Sequence, residues 1–493
     1  MNTIKSLAIL CSINTLLSAE NSRNKVISNV KSKPNVLFIC IDDLRPELSC
    51  YGNKYIHSPN IDKLAQTGAL FKNHFVQVPT SGASRGSMLT GMFPTNTSQL
   101  SNEVIRDFIS SQPETEKPES FIHQLKRNGY YTVGIGKISH SADGFIYNYT
   151  DKVSTVRELP HSWKELMFDY GKWGTGWNAF FGFVDGSSRQ SKKNQVKPYE
   201  IADVEDTGYP DGLTAQLAVN QLAQLAQRNE PFFLGVGFFK PHLPFNAPKK
   251  YWDLYDREDI PLSESSFIPE NVNLMSLHDS PEIKSYQLTD EKPSLQAKVS
   301  DEYARTLRHA YFASVSYIDA QVGKLLDELE RLGIAENTIV VLWGDNGWHL
   351  GDNRVWGKHT IFEKSLRTPL IIKIPGITKG KSIEKVVSSI DIYPTIMDAC
   401  GIPMPHKTDG NSFIPLLKYK KASWEEYAYS YFRQGVSVRT ARYRLTQYFR
   451  KQQPDIELYD HRTDPDESKN IALEHPELVK KLLPLLKNKN IYK

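Results

Sequence analysis

The stretch NVLFICIDD, Asn35–Asp43, decides how the chain is read: from Val36 to Ile41 it is apolar without a break, and it stops at two adjacent carboxylates. A run this short and this uniformly apolar is a strand buried on both faces, as in a sheet covered by helices, because a half-exposed strand would alternate and a helix would run longer. A second run, TIVVLWGDN from Thr338 to Asn346, repeats the pattern and ends in Asp345 and Asn346. YTVGIGK (131–137), PFFLGVGFFK (231–240) and TPLIIKIPG (368–376) read as further buried strands.

Helical patterns lie between the strands. In SPNIDKLAQTGALF (58–71), Ser58 is placed as a cap, Pro59 in the first turn, and Ile61, Leu64 and Ala65 share one face. From Arg308 to Leu332, Val315, Ile318, Val322, Leu325 and Leu329 recur at steps of three and four until Gly333 stops the helix. Alternating strands and helices predict an α/β fold with a large mixed, mostly parallel central sheet flanked by helices. Two stretches break the alternation, 141–212 and 248–299, and are expected to wall a pocket, since loops of such length tend to be functional. From Ser423 the texture changes to short β-like runs (YAYSYFR, GVSVRTARYRLTQYF), then ELYDHRTDPDESKN and an amphipathic helix. That predicts a small C-terminal antiparallel sheet subdomain over 423–493, after a main domain over 34–422.

Composition narrows the classes. With 40% hydrophobic and 24% charged residues the chain is globular, and a net charge of +4 over 493 residues gives no whole-protein case for nucleic acid. The opening MNTIKSLAILCSINTLLSAENS has the layout of a signal peptide over 1–19, with cleavage near Ala19, followed by a polar linker over 20–33; export is expected, most simply to the periplasm. No other stretch approaches the roughly 20 apolar residues of a membrane span. Of four cysteines, Cys40 and Cys400 read as buried thiols, and no spacing suggests a zinc site or a disulfide framework.

Carboxylates directly after buried strands sit at the carboxyl ends of the sheet, where open α/β folds place their ligands. Asp42, Asp43, Asp345 and Asn346 are therefore expected to converge, and an all-oxygen set favours Ca²⁺, with Mg²⁺ second, over zinc. SGASRGSMLTG (81–91) opens a short helical segment that Gly91 closes, and Ser81 there reads as a cap, a nucleophile or the precursor of another group. With Arg85, Lys137 and His140 of GKISH, His242 of FKPHLP and Lys358 of VWGKH near the same end, the set suits a multiply charged tetrahedral anion, with histidines for proton transfer.

These residues carry a resemblance. SGASRGSMLTG resembles the type I sulfatase signature, and NVLFICIDDLRPELSCYGN, SPNIDKLAQTGALFKNHFVQ, GKISH, KPHLPF, WGDNGWHLGD and ELYDHRTDPDESKN extend the likeness over nearly the whole chain. Within that family it looks most like the iduronate-2-sulfatase branch, by DDLRP, VGIGKISH and GFFKPHLPF. The resemblance implies an alkaline-phosphatase/sulfatase-like sandwich. It also implies that Ser81 is oxidised to Cα-formylglycine, whose hydrate attacks sulfur and then collapses to expel sulfate. Asp42, Asp43, Asp345 and Asn346 would hold Ca²⁺ together with modified Ser81; Arg85 and Lys137 would orient the formylglycine; His140 would take its proton. His242 would be the general acid toward the leaving oxygen and Lys358 would grip the sulfate.

Serine in place of cysteine at position 81 implies a bacterial protein matured by a formylglycine-generating, radical-dependent enzyme. Phe239 stands where the nearest branch carries a histidine, which weakens transfer of that branch's substrate. The expected substrate is a sulfated oligo- or polysaccharide, an ulvan-type algal polymer first and a glycosaminoglycan uronate 2-sulfate next. The alternatives are a phosphoester or phosphonate hydrolase of the same superfamily, and an inert glycan-binding protein if Ser81 stays serine. Gly82 and Ala83 are expected to leave access for the maturing enzyme and room for the anion. Arg189, Lys192, Lys193 and Lys197 are read either as a site for a uronate or second sulfate or as a solvated loop, and Trp173, Trp177 and Tyr199 either as sugar platforms or as loop packing.

Overall fold

The run that opens the sequence becomes strand β1 (Asn35–Ile41), fully buried, at the centre of an eight-stranded sheet. The structure, a computed structural model, describes residues 33–109 and 118–492, so the expected signal peptide and nearly all of the linker lie outside the described residues. The other strands are β2 (Ala69–Phe75), β3 (Tyr131–Gly136), β4 (Glu165–Met167), β5 (Tyr199–Ala202), β6 (Phe232–Phe238), β7 (Phe245–Pro248), β8 (Thr338–Gly344), β9 (His349–Leu350), β10 (Trp356–Gly357), β11 (Leu370–Lys373) and β12 (Lys381–Ser388). The central sheet has the order β12-β2-β11-β8-β1-β6-β3-β4, and only β11 runs against the others. The mixed, mostly parallel sheet is as expected.

Alternate residues of β1 enter different cores, which is why its apolar run has no gaps. Leu37, Ile39 and Ile41 join one cluster and Val36, Phe38 and Cys40 the other. On the first face lie helices α1 (Pro59–Thr67), α4 (Pro210–Leu225) and α5 (Asp301–Arg331). On the second lie α2 (Ser81–Thr90), α3 (Phe121–Arg127) and α7 (Ile392–Ala399). Helix α5 begins at Asp301, earlier than the apolar spacing indicated, because its first turns are stopped down by Ser300, whose hydroxyl accepts the Tyr303 N–H at 3.1 Å. Ser58 precedes α1 as expected, but its hydroxyl donates toward Asp62 at 3.3 Å rather than accepting a helix N–H.

The two long stretches are not free of regular structure. The first supplies β4, an edge strand of the central sheet, and β5, which pairs in parallel with β7. Among the described residues no helix is long and apolar enough to cross a membrane, and Cys40, Cys50 and Cys400 form no disulfide.

At the C-terminal end β13 (Ala428–Phe432), β14 (Gly435–Arg439), β15 (Tyr443–Tyr448) and β16 (Ile456–Asp460) form an antiparallel sheet in sequence order, followed by helix α8 (Pro476–Leu482). A buried ion network ties this sheet to α6 (Glu363–Leu366): Arg439 and Arg444 reach Glu363 at 3.1 and 2.5 Å, Arg444 also reaches Glu467 at 2.6 Å, and His461 lies 3.0 Å from Glu467. Arg444 and Glu467 are each 1% exposed, so removing Arg444 takes a cation from two buried carboxylates, Glu363 and Glu467, at once. Arg444→Ala is expected to lower stability by about 3 kcal/mol or more, read from the urea midpoint; a loss below about 1 kcal/mol would show the network to be dispensable.

Candidate active site

Strands β1 and β8 are parallel neighbours in register Ile41↔Gly344, so the residues that follow them meet by construction. The Asp345 N–H donates to the Ile41 carbonyl at 3.2 Å and the Asp43 N–H to Asp345 Oδ1 at 3.0 Å. Asp43 adopts φ +58°, a left-handed turn that aspartate tolerates better than most residues, and this turns the chain back at the strand end. One carboxylate oxygen from each of Asp42, Asp43 and Asp345 lies within 4.8 Å of the others, and all three residues are fully buried. The Asn346 amide bridges the group: its N–H donates to Asp43 and its oxygen faces the Ser81 hydroxyl at 3.5 Å.

Each buried carboxylate is met by a cation from another element. Lys137, directly after β3, lies 2.5 Å from Asp42; Lys358, directly after β10, lies 2.7 Å from Asp43; Arg85, on α2, reaches Asp345 through two nitrogens at 2.9 Å. Burial alone would push the Asp42 carboxyl up, but Lys137, His242 and Lys358 hold it well below the usual carboxylate range. Asp43 is pushed up to about 7 by burial, against the pull of Lys358 and His242, with Asp42 and Glu282 adding like charge. A group this buried and negative, built only of oxygen donors, fits a hard divalent cation.

Ser81 is the first residue of α2, not its cap: Thr80 occupies the capping position, and the Ser81 hydroxyl donates to Asp42 Oδ1 at 3.0 Å. The positive end of the helix therefore faces the carboxylate group and whatever anion joins it. Gly82 is small for a reason the sequence did not reveal. A Cβ there would lie 2.3 Å from the Asn102 carbonyl oxygen, and the Gly82 N–H donates to Asn102 Oδ1 at 3.0 Å. Ala83 likewise packs into the second core, so neither residue leaves room for an anion.

His140 and His242 reach the same cavity, of about 390 Å³, together with Ser81, Lys137 and Lys358. Burial, with Lys137 beside it, holds the His140 imidazole well below its ordinary range, which favours its uncharged form. His242 Nδ1 is 2.6 Å from the Leu243 carbonyl and Nε2 is 2.9 Å from Glu282, so its ring is anchored at both nitrogens. The loop that carries it is held by Asp211, which accepts the N–H groups of Phe239 and Lys240 at 2.7 and 3.0 Å. The close approach of β6 to Lys137 requires Gly237, whose added Cβ would lie 2.1 Å from the Lys137 carbonyl oxygen.

All the residues expected at the site are thus brought together, and several were not anticipated. Glu282 comes from a short helical turn in the second long stretch, and burial opposes its charge while Lys358 and His242 hold it far below the usual carboxylate range. Asn102, Tyr149, Phe180, Phe181 and His359 also line the cavity. Of the basic loop residues only Arg189 reaches it; Lys192 and Lys197 pair with Asp185 and Asp290 at half-exposed positions. Of the three aromatic candidates only Trp177 lines the cavity. Trp173 is buried, with its indole N–H on the Phe183 carbonyl at 2.9 Å, and the Tyr199 hydroxyl donates to Asp290 at 3.1 Å.

A family model described as Sulfatase matches residues 34–402, and one described as N-sulphoglucosamine sulphohydrolase, C-terminal, matches residues 351–490. The chain belongs to the sulfatase family and is a sulfuric ester hydrolase by class. It is 32% identical to the iduronate 2-sulfatase of Mus musculus over 77% of this chain and 71% of the other. It is 30% identical to a sulfatase of Formosa agariphila over 93% of this chain and 86% of the other. In fold it is similar to a protein solved with its substrate D-glucosamine-2-N,6-O-disulfate, with a TM-score of 0.70, 21% identity, and coverage of 94% of this chain and 100% of that one. The phosphonate monoester hydrolase of Silicibacter pomeroyi shares the fold as well, with a TM-score of 0.71, 24% identity, and coverage of 93% and 96%.

Gly82→Ala is expected to destabilise the protein by about 1–3 kcal/mol through overpacking against the Asn102 backbone, seen as a lower melting temperature. Gly52→Ala meets nothing within 4 Å but carries φ +97°, and serves as a backbone-strain control.

Proposed function

We propose that the protein hydrolyses sulfate esters of a sulfated carbohydrate, using a formylglycine made from Ser81. The observation that carries this reading is the placement of Ser81 Oγ 3.0 Å from Asp42, at the positive end of α2 and on the cavity that Lys137, His140, His242 and Lys358 share. Asp42, Asp43, Asp345 and Asn346 would hold Ca²⁺, with Mg²⁺ the lesser candidate, and bound there the ion would supply positive charge to the sulfate. As formylglycine, residue 81 would supply the hydroxyl nucleophile.

The chain's own residues account for the rest of the chemistry. Arg85 and Lys137 are fixed on Asp345 and Asp42 and orient residue 81 without rearranging during the reaction. Neutral His140 accepts a proton on the side of residue 81. His242, held through Nδ1 on the Leu243 carbonyl and through Nε2 on Glu282, lines the cavity and protonates the leaving sugar oxygen when Nε2 exchanges Glu282 for the substrate. Lys358 grips the sulfate, whose oxygens stay charged throughout. Arg189 lies over the Phe181 ring at 3.9 Å, and among the described residues it has no carboxylate within ion-pairing distance, so it is placed to meet a further negative group on the substrate.

Of the polymers considered, an ulvan-type algal polysaccharide is preferred, with glycosaminoglycan uronate 2-sulfate next. Phe239 supports that order: it is fully buried against Phe180, ring centroids 5.0 Å apart, and contributes no polar group where the iduronate branch has a histidine. Export to the periplasm, maturation by a formylglycine-generating enzyme and a division into 34–422 and 423–493 belong to the same reading.

Sulfate release from ulvan and heparan oligosaccharides tests it, alongside mass spectrometry of the tryptic peptide that carries Ser81 in protein from its native host. The expected results are sulfate release and a residue 81 two hydrogens lighter than serine; an unmodified serine in active protein, or cleavage of phosphodiesters in place of sulfate esters, would overturn the mechanism. Ser81→Ala is expected to lower kcat/KM at least about a thousandfold. Removing metal with EDTA should lower the melting temperature, and Ca²⁺ in about hundredfold excess over its Kd should restore about 2.7 kcal/mol.

A further inference from the structure

A second cavity, of about 290 Å³, adjoins the first, and Asn102, His140, Tyr149 and Trp177 line both. Its chemistry differs from that of the reaction pocket. The Trp177 indole is fixed by its N–H on the Tyr147 carbonyl at 3.0 Å, and the Tyr149 ring stands edge-on to it at 4.7 Å, so the shared wall is a rigid aromatic surface. Around it are groups with hydrogen-bonding capacity to spare. Asn102 uses its side-chain oxygen on Gly82 and Asn148 uses its side-chain nitrogen on Asp151, which leaves an amide donor on the first and an amide acceptor on the second among the described residues.

The lining charges exclude a second anion site. Arg106 is forked onto Asp107 through Nε and Nη2, and Glu103 and Glu158 share the lining with it. An aromatic face ringed by mixed donors and acceptors, with no unpaired cation, matches the apolar face and hydroxyl groups of a sugar ring, and the volume is close to the lower end of ligand pockets at roughly 300 Å³.

We propose that this second cavity is a sugar subsite: sulfate is removed from one residue of an oligosaccharide while the neighbouring ring lies against Tyr149 and Trp177 and hydrogen-bonds Asn102, Arg106 and Asn148. The proposal rests on the sulfated-carbohydrate reading above. It makes the preferred substrate at least a disaccharide, with the ring beyond His140 read through its hydroxyls and not through a second sulfate.

The test is the ratio of kcat/KM for a sulfated disaccharide to that for the matching sulfated monosaccharide, measured for pairs prepared from ulvan and from heparan sulfate, in the wild type and in Arg106→Ala/Asn148→Ala. A ratio is used because a general loss of folded protein cancels from it. The wild type is expected to favour the disaccharide by about tenfold or more, and the double variant to bring the ratio close to one. A wild-type ratio near one, or a ratio that the double variant leaves in place, overturns the subsite while the sulfatase reading stands. No sulfate release from any member of either pair removes the reading on which the subsite rests, and the subsite with it.

Discussion

Three fully buried carboxylates at the ends of two adjacent parallel strands are the constraint on which this structure turns. Like charges so close in a low-dielectric interior repel strongly, and the desolvation of each adds to the cost. The chain meets that cost with cations drawn from separate parts of the sequence: Lys137 after β3, Arg85 on α2, Lys358 after β10. Each is itself buried, so neither sign is stable without the other. The arrangement ties strand order, helix placement and loop path to one group of charges.

The same constraint explains which features could be read beforehand. Buried strands advertise themselves by unbroken apolar runs, and the carboxylates that end β1 and β8 could be placed at the sheet's carboxyl edge from those runs alone. Lys137 and His242 follow from β3 and β6 in the same way. Glu282, Asn102 and Tyr149 could not be found, because they come from long connections whose side-chain direction is set by tertiary packing and leaves no period in the sequence. The start of α5 escapes the apolar spacing for a related reason: its first turns are marked by the cap at Ser300 and not by an apolar period.

Gly82 shows how a correct residue can be assigned the wrong cause. Its smallness suggests open space beside Ser81, yet the space is already filled by the Asn102 backbone. The contact is useful because Asn102 also accepts the Gly82 N–H, so the segment carrying Asn102 fixes the first turn of α2 and with it the Ser81 side chain. Rigidity at residue 81 thus depends on a loop that also lines both cavities, and in the proposed reaction the geometry of residue 81 would be coupled to the wall the substrate touches.

The pairing of charges also separates two tasks within one pocket. Lys137, Lys358 and Arg85 are held by carboxylates, so they form a fixed electrostatic frame that does not need to reorganise when a sulfate arrives, which is the condition under which such charges stabilise a transition state. Their attraction for an incoming anion is reduced by the same carboxylates, so the frame alone makes a weak trap. A divalent ion on Asp42, Asp43, Asp345 and Asn346 would reverse that balance, turning an acidic group into a site with net attraction for sulfate. Arg189 is different: stacked on Phe181 and bonded to the neutral Ser285 hydroxyl at 3.1 Å, it keeps its charge available at the cavity wall. In the proposed reaction, capture of a substrate with more than one negative group and stabilisation of the reacting sulfate would therefore fall to different cations, and a change at Arg189 would alter substrate binding without disturbing the frame.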